Sequence, residues 1–337
     1  MGASIAYNLA LRGATEVVLC DRGEVAGGAT GKAMGGVRQQ FSTPEEVLLA
    51  QASIRFFEEL RPPLFEQVGY LFLATTSEGW EELRARAELQ ASLGVPVDEV
   101  DPAFVPGLRT DDLVGAVFCA QDGVASPPAI TRELVRRAAE LGVDVRERTP
   151  AEGLAADTLV IACGPWSAEV AAQHGVALPI RPLTRQLLAT EPFDAPAELP
   201  MVVEAETGFH FRRREGRLVL AMADAEPRWG FADVDSSVFD DRLARLAHRY
   251  PAAGALAVAD AWVGAYDMTP DAHPIIGEVA EGVYAACGFS GHGFMQSPAV
   301  GAALAEEILD GASSFDLSPF RLERFAGGAA FPETLIL

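Results

Sequence analysis

The sequence predicts an α/β domain built on a parallel sheet, joined to an α+β domain whose sheet is antiparallel. Three observations carry this. The segments 16–20 and 157–163 carry short continuous apolar runs, at 17–20 and 159–163, the kind a parallel sheet buries on both faces. Two apolar segments between residues 208 and 222 flank Arg214-Glu215-Gly216, the pattern of an antiparallel hairpin. Residues 283–309 run from an apolar strand through Gly288, Gly291 and Gly293 into a helix.

In chain order, residues 2–12 read as a helix with Ile5, Leu9 and the alanines on one face, ended by Gly13. The strand at 16–20 closes on Asp21. An acid at a strand end, roughly 20 residues after a glycine-opened helix, holds a ribose hydroxyl in dinucleotide folds. Only the last glycine of that G-x-G-x-x-G fingerprint stands here, as Gly2, with no strand before it. We therefore expect a doubly wound sheet with an empty central slot, and a start placed late at Met1 rather than a damaged remnant.

Residues 27–41 are too rich in glycine for regular structure; Lys32 and Arg38 are the only cations there, and Thr30 can donate to a phosphate. Ser42, Thr43, Pro44, Glu45 and Glu46 open a helix that reaches about Leu60, before Pro62-Pro63. A strand at 69–75, a charged helix at 78–93 and a strand at 114–121 look like a second domain inserted into the first. Next come a helix at 127–141, with Arg132, Arg136 and Arg137 on a solvated face, and a strand at 143–146. The strand at 157–163 breaks at Gly164-Pro165, just before Trp166. A strand at 180–190, the hairpin and an amphipathic helix at 236–250 lead back to the glycine loop. Ser297 and Pro298 are expected to open the last helix, Ser297 as cap and Pro298 at the first position. Amides bared by the glycines, with the positive helix end behind them, would face a ligand.

A length of 337 residues leaves room for two domains. The formal charge of −22 argues against nucleic acid and anionic membrane as partners. Cys20, Cys119, Cys163 and Cys287 are far apart and form no metal-ligand cluster, which fits a reducing, cytoplasmic setting and no metal. No apolar run approaches the ~18 residues of a membrane span.

Four stretches, in order, resemble a known family: Gly2 through Asp21-Arg22, GGATGKAMGGVR, VIACGPWS, and TPDAHPIIG followed by GFSGHGFMQSPAVG. They are similar to the FAD-dependent amine and amino-acid oxidoreductases of the D-amino-acid oxidase/sarcosine oxidase superfamily. The nearest pattern is the sarcosine oxidase β-subunit and dye-linked proline dehydrogenase group. The resemblance implies a Rossmann-like, GR2-type FAD domain without its first strand, from residues 1–66, 117–182 and 266–325. It also implies a substrate domain from 67–116 and 183–265, whose antiparallel sheet roofs the flavin, and a tail at 326–337.

The cofactor-binding residues it implies begin with Gly2, Asp21 and Arg22, Asp21 holding the adenosine ribose. Ala29, Thr30, Gly31, Lys32 and Gly36 would follow the pyrophosphate and flavin, and Gly164, Trp166 and Gly264 would line the cofactor. Gly288, Ser290, Gly291, His292, Gly293, Phe294 and Met295 would pass under the pyrimidine end. Arg38 and Tyr266 match active-site positions, and His210 and His292 are further pocket candidates, whereas His273 holds structure at the TPD turn. The implied reaction moves a hydride from a small amine or amino acid to flavin N5, and water then hydrolyses the imine.

Departures from the family pattern refine this. Gly264 stands where some relatives tether the flavin through cysteine, so FAD is expected to be non-covalent. Met295 replaces a carboxylate-binding lysine. No lysine lies in 218–222, which favours a dehydrogenase passing electrons to a carrier or partner subunit over an oxidase. The segment between 145 and 157 is short, so a sheet over the adenine is expected to be largely missing. Two other readings are a catalytically silent FAD-fold subunit and a nicotinamide enzyme; the latter uses Asp21 but leaves GFSGHGF and TPDAHPIIG unexplained.

Overall fold

The structure is a computed structural model and describes residues 1–151, 156–327 and 332–334. Part of the short segment before Asp157, at 152–155, and most of the expected tail, at 328–331 and 335–337, lie outside the described residues. The first part of the chain folds as α1 (Gly2–Leu11), β1 (Val18–Cys20), α2 (Ala29–Lys32), β2 (Gly36–Val37), α3 (Pro44–Glu58), β3 (Phe65–Glu66) and β4 (Tyr70–Ala74). Then come α4 (Ser77–Ser92), β5 (Val97–Glu99), β6 (Gly115–Cys119), β7 (Gly123–Ala125), α5 (Pro127–Glu140), β8 (Asp144–Arg146), β9 (Leu159–Ile161) and α6 (Ser167–Gln173). The remainder is β10 (Arg181–Thr190), β11 (Met201–Glu204), β12 (His210–Arg214), β13 (Arg217–Ala221), α7 (Phe239–Arg249), β14 (Val258–Met268), β15 (Ile275–Ala280), β16 (Val283–Cys287) and α8 (Gly293–Asp310).

The parallel sheet is in two pieces. β1 pairs with β8 in parallel, and β9 pairs in parallel with β16, which carries β15 on its other side. Among the described residues no strand joins the pieces. The start of α1 lies between them: a Cβ on Gly2 would come 3.4 Å from Leu19 and 3.8 Å from Ala162. α1 packs closely on α8, because Gly301 brings its backbone against Ser4; a Cβ there would lie 2.8 Å from the Ser4 carbonyl carbon.

The antiparallel sheet has the strand order β14-β10-β13-β12-β11-β4-β6-β5, with β11–β4 its one parallel pairing. Strand alternation gives it two faces. Leu71, Leu73, Val202, Phe211, Leu218 and Leu220 pack on Leu246 of α7 and on Tyr250. Tyr70, Phe72, Met201 and Val203 point the other way, with Met34 against them, and Leu187, Ala189 and Val219 extend that face to Met34 and Trp262.

Two expectations need correction. Residues 27–41 are not free of regular structure: they hold the one-turn α2 and β2, which joins β7 and β3 in a small antiparallel sheet. Helix α8 begins at Gly293, not at Ser297-Pro298, so Pro298 sits inside it. Pro298 has no N–H for the Phe294 carbonyl, and the Ser297 hydroxyl donates to that oxygen instead at 2.9 Å. Ser53 of α3 steadies the same turn, donating to the Gln296 carbonyl at 3.1 Å and accepting from the Ala299 amide at 3.2 Å. Among the described residues no helix is long and apolar enough to cross a membrane.

Candidate active site

The glycine loop after β16 is held from within by a buried carboxylate. Asp267, near the end of β14, accepts the Gly288 amide at 2.7 Å and also the Phe289 amide. Its carbonyl accepts the Ser290 amide at 3.2 Å, and the Ser290 hydroxyl accepts the Thr269 amide at 3.3 Å. Burial pushes the Asp267 pKa up, and the amides oppose that shift. Thus the first amides of the loop point into the protein. The amides of Gly291, Gly293, Phe294 and Met295 donate to no described residue, and they crowd the start of an 18-residue helix.

Residues 28–41 lie between this loop and the antiparallel sheet. Lys32 runs against β14, where a Cβ on Gly264 would come 2.9 Å from the Lys32 Cβ, and the Trp262 indole donates to the Lys32 carbonyl at 3.0 Å. The Tyr70 hydroxyl fills the place a Gly36 side chain would need. Arg212 donates to the Ala125 carbonyl at 3.3 Å, and Arg214 to that of Ala33 at 3.4 Å.

Arg38 is buried where these elements meet. Its guanidinium lies 4.1 Å above the Phe41 ring, donates to the Gln40 carbonyl, and stands 3.4 Å from His292 Nε2. Burial lowers its pKa, while Tyr70, Glu333, Asp122 and Glu46 raise it. Asp122 anchors the adjoining backbone, accepting the Gln39 amide at 2.9 Å and the Gln40 side chain at 3.0 Å. Burial pushes Asp122 up to about 6. The Phe41 ring meets His292 edge-on at 4.9 Å.

The sheet face above carries His210, Arg185 and Tyr266. His210 is aligned across the strands with Ala221, Leu187 and Trp262, and Arg185 pairs with Gly264. The Arg185 guanidinium is 5.4 Å from the centre of the Tyr266 ring. From below, Gly291 presses on that ring: a Cβ there would come 2.5 Å from Cε2. His210 Nδ1 lies 2.8 Å from the Gly208 carbonyl, which only accepts, so this nitrogen carries the proton and Nε2 keeps its lone pair. Burial pushes His210 down to about 4, with Arg38 and Arg185 adding to the shift.

At the far end, Asp21 closes β1 and accepts the Gly23 amide at 2.8 Å. Arg22 stacks over Trp166 at 4.5 Å, and Trp166 stacks on Phe231 at 5.3 Å. Trp166 also borders Gly28, whose Cβ would lie 3.7 Å from its ring. His273 is in the interior, 2.7 Å from Glu46, to which Gln296 of α8 also donates. Arg38, His292, His210 and Tyr266 therefore converge, Arg38 being within electrostatic reach of all of the other three. Sequence reading missed Arg185, Arg212, Asp122 and Asp267. Only Arg185 left a local signal, a cation between Leu183 and Leu187 on one face of a strand.

The family model described as "DAO: FAD dependent oxidoreductase" matches residues 1–307. The chain belongs to this family. The "FAD-dependent oxidoreductase domain-containing protein 1" of Xenopus laevis is 29% identical over 96% of this chain and 80% of its own. Glycine oxidase of Geobacillus kaustophilus is 28% identical over 97% of this chain and 95% of its own. The crystal structure of L-proline dehydrogenase from P. horikoshii superposes with a TM-score of 0.90 at 27% identity, covering 97% of this chain and 96% of that one. As a DAO-family member the protein is an FAD-dependent oxidoreductase.

The residues present fit that cofactor. Amides at the α8 N-terminus suit negative charge, Asp21 at a strand end suits a ribose hydroxyl, and the glycines of 27–36 keep backbone accessible. Gly31 tolerates no side chain at all, since a Cβ would come 2.5 Å from the Ala26 carbonyl oxygen.

The histidine environment gives a first expected result. Folded His210 titrates near 4 against an ordinary 6.5, so between these values the unfolded chain binds more protons and stability rises with pH. Asp122 acts oppositely, titrating near 6 against 3.8, so its contribution falls as pH rises through that range. The contrast between variant and wild type isolates the histidine. As pH drops from 6.5 to 4, wild type should lose on the order of 3 kcal/mol relative to His210→Gln, read from urea melts. Parallel profiles for the two proteins would show that His210 is not held neutral.

Proposed function

We propose that the chain oxidises a small secondary amine or amino acid, of the sarcosine, proline, glycine or D-amino-acid class, to an imine that water hydrolyses. The observation that carries this reading is the meeting of Arg38, His210, His292 and Tyr266 between the sheet face and the start of α8. FAD, when bound, supplies the two-electron acceptor for the hydride leaving the substrate carbon, with Asp21, Arg22, Ala29–Lys32, Gly36, Gly164, Trp166, Gly264 and the 288–295 loop as its binding residues.

The chain's own residues set the conditions for that transfer. Arg38 and Arg185 impose a positive field on the site, which disfavours an ammonium and favours the neutral amine that can give up hydride. His210, neutral and with Nε2 unprotonated, can accept a hydrogen bond from the amine N–H. Tyr266, held against Gly291, and His292, held edge-on by Phe41, are placed to orient the substrate. β13 carries no lysine, and the only lysine in the chain is Lys32, which lies against Gly264; this supports a dehydrogenase that reacts slowly with oxygen. The sequence similarity to a glycine oxidase and the structural likeness to a proline dehydrogenase support the substrate class. The test is anaerobic addition of sarcosine, proline, glycine or a D-amino acid to the FAD-loaded protein. Bleaching of the yellow flavin band by one of them is expected. Flavin that stays oxidised with every amine would make the chain a silent subunit.

A further inference from the structure

We propose that Arg185 is the residue that binds the substrate's carboxylate, an inference that rests on the amine-oxidation reading and names the substrate as an amino acid. Alternation along β10 places Leu183, Arg185, Leu187 and Ala189 on one face, and Leu187 and Ala189 pack with Met34 and Trp262 on the side facing the 28–41 loop. The neighbouring Gln186 points away and accepts the Asp235 amide at 2.7 Å. Register sets Arg185 beside Gly264, so no side chain on β14 covers it there.

The other arginines around the site are committed. Arg38 donates to Gln40 and lies over Phe41, Arg212 donates to Ala125, and Arg214 to Ala33. Arg185 makes no hydrogen bond and no ion pair with any described residue; its Nε is buried without a partner, and its guanidinium lies over Tyr266. A buried guanidinium edge with nothing to bond is unfavourable unless a ligand completes it. In a chain of formal charge −22, a cation on this sheet face with no carboxylate bonded to it implies an anion from outside. The guanidinium fork matches a carboxylate in a bidentate, charge-assisted pair. The start of α8 offers no competing cation, since Met295 stands there.

The experiment uses the FAD-loaded protein and a ligand pair that cannot be oxidised, cyclopentanecarboxylate and its neutral carboxamide, with affinities from calorimetry. Wild type should bind the carboxylate about 100-fold more tightly than the amide, as expected for a charge-assisted pair. Arg185→Ala should erase that preference while holding the carboxamide as wild type does, and Arg185→Lys should keep part of it. With a substrate amino acid, Arg185→Ala should raise KM far more than it lowers kcat. An Arg185→Ala protein that still prefers the carboxylate overturns the proposal, as does a wild type with no preference. Should no amine bleach the flavin while the carboxylate preference still depends on Arg185, the oxidation reading falls and the anion site stands.

Discussion

Replacing Gly291 with alanine should strip flavin from the protein while leaving the chain folded. Gly291 has φ +100°, where an L-residue is strained by about 1–2 kcal/mol. Its new methyl would also stand 2.5 Å from Cε2 and 2.7 Å from Cζ of Tyr266. The ring cannot simply retreat, because the Arg185 guanidinium covers it at 5.4 Å. Relief must come from moving the first turn of α8 or the end of β14, the elements between which the site is built. Such overpacking adds about 1–3 kcal/mol. The expected result is a rise of about 100-fold or more in the FAD dissociation constant, followed by flavin fluorescence. Gly311→Ala is the control: its φ is +80° but its Cβ would meet nothing within 4 Å, so it incurs backbone strain alone and should retain flavin. Equal flavin affinity in Gly291→Ala and wild type would mean that this contact does not shape the site.

The second large effect lies on the opposite face of the sheet. Arg249 is 1% exposed and donates to Glu204 at 2.7 Å, to Asp112 at 2.7 and 3.0 Å, and to the Arg109 carbonyl at 2.7 Å. Arg249→Met removes the cation and leaves Glu204, only 6% exposed, with a buried charge. Breaking such a pair from one side costs about 3–5 kcal/mol. Urea unfolding should show that loss, with the flavin spectrum of the folded fraction unchanged. The double variant Arg249→Met, Glu204→Leu should recover much of it, because no stranded carboxylate remains. A loss below about 1 kcal/mol for the single change would mean that water already solvates the cluster.

Local pattern was enough for most of the fold. The helix from Pro44, the strand at Tyr70–Ala74 and the hairpin turning at Glu215-Gly216 each announce themselves by caps, alternation or turn residues within a few positions. What failed was whatever depends on distant partners. β14 carries too little local pattern to be assigned from sequence, because it is defined by pairing with β10, with Tyr266 opposite Leu183. Ser297-Pro298 has the composition of a helix start, yet the turn at Gly291 and the links from Ser53 start α8 at Gly293. The glycine loop is conspicuous in the sequence, but its first amides answer to Asp267, a residue with no signal in its own neighbourhood. For the site, Arg38 and Tyr266 came from resemblance, whereas Arg185 stands out only once Gly264 is known to lie beside it.

The central claim is that the sheet face bearing Tyr266 and Arg185 and the amides at the start of α8 enclose one flavin between them. A crystal structure of the protein grown with FAD tests this most directly. The isoalloxazine ring should lie against the amides of Gly293–Met295, beside the contact between Gly291 and Tyr266 and facing the sheet that carries Arg185. A ring bound away from the start of α8 and from that sheet face would contradict it.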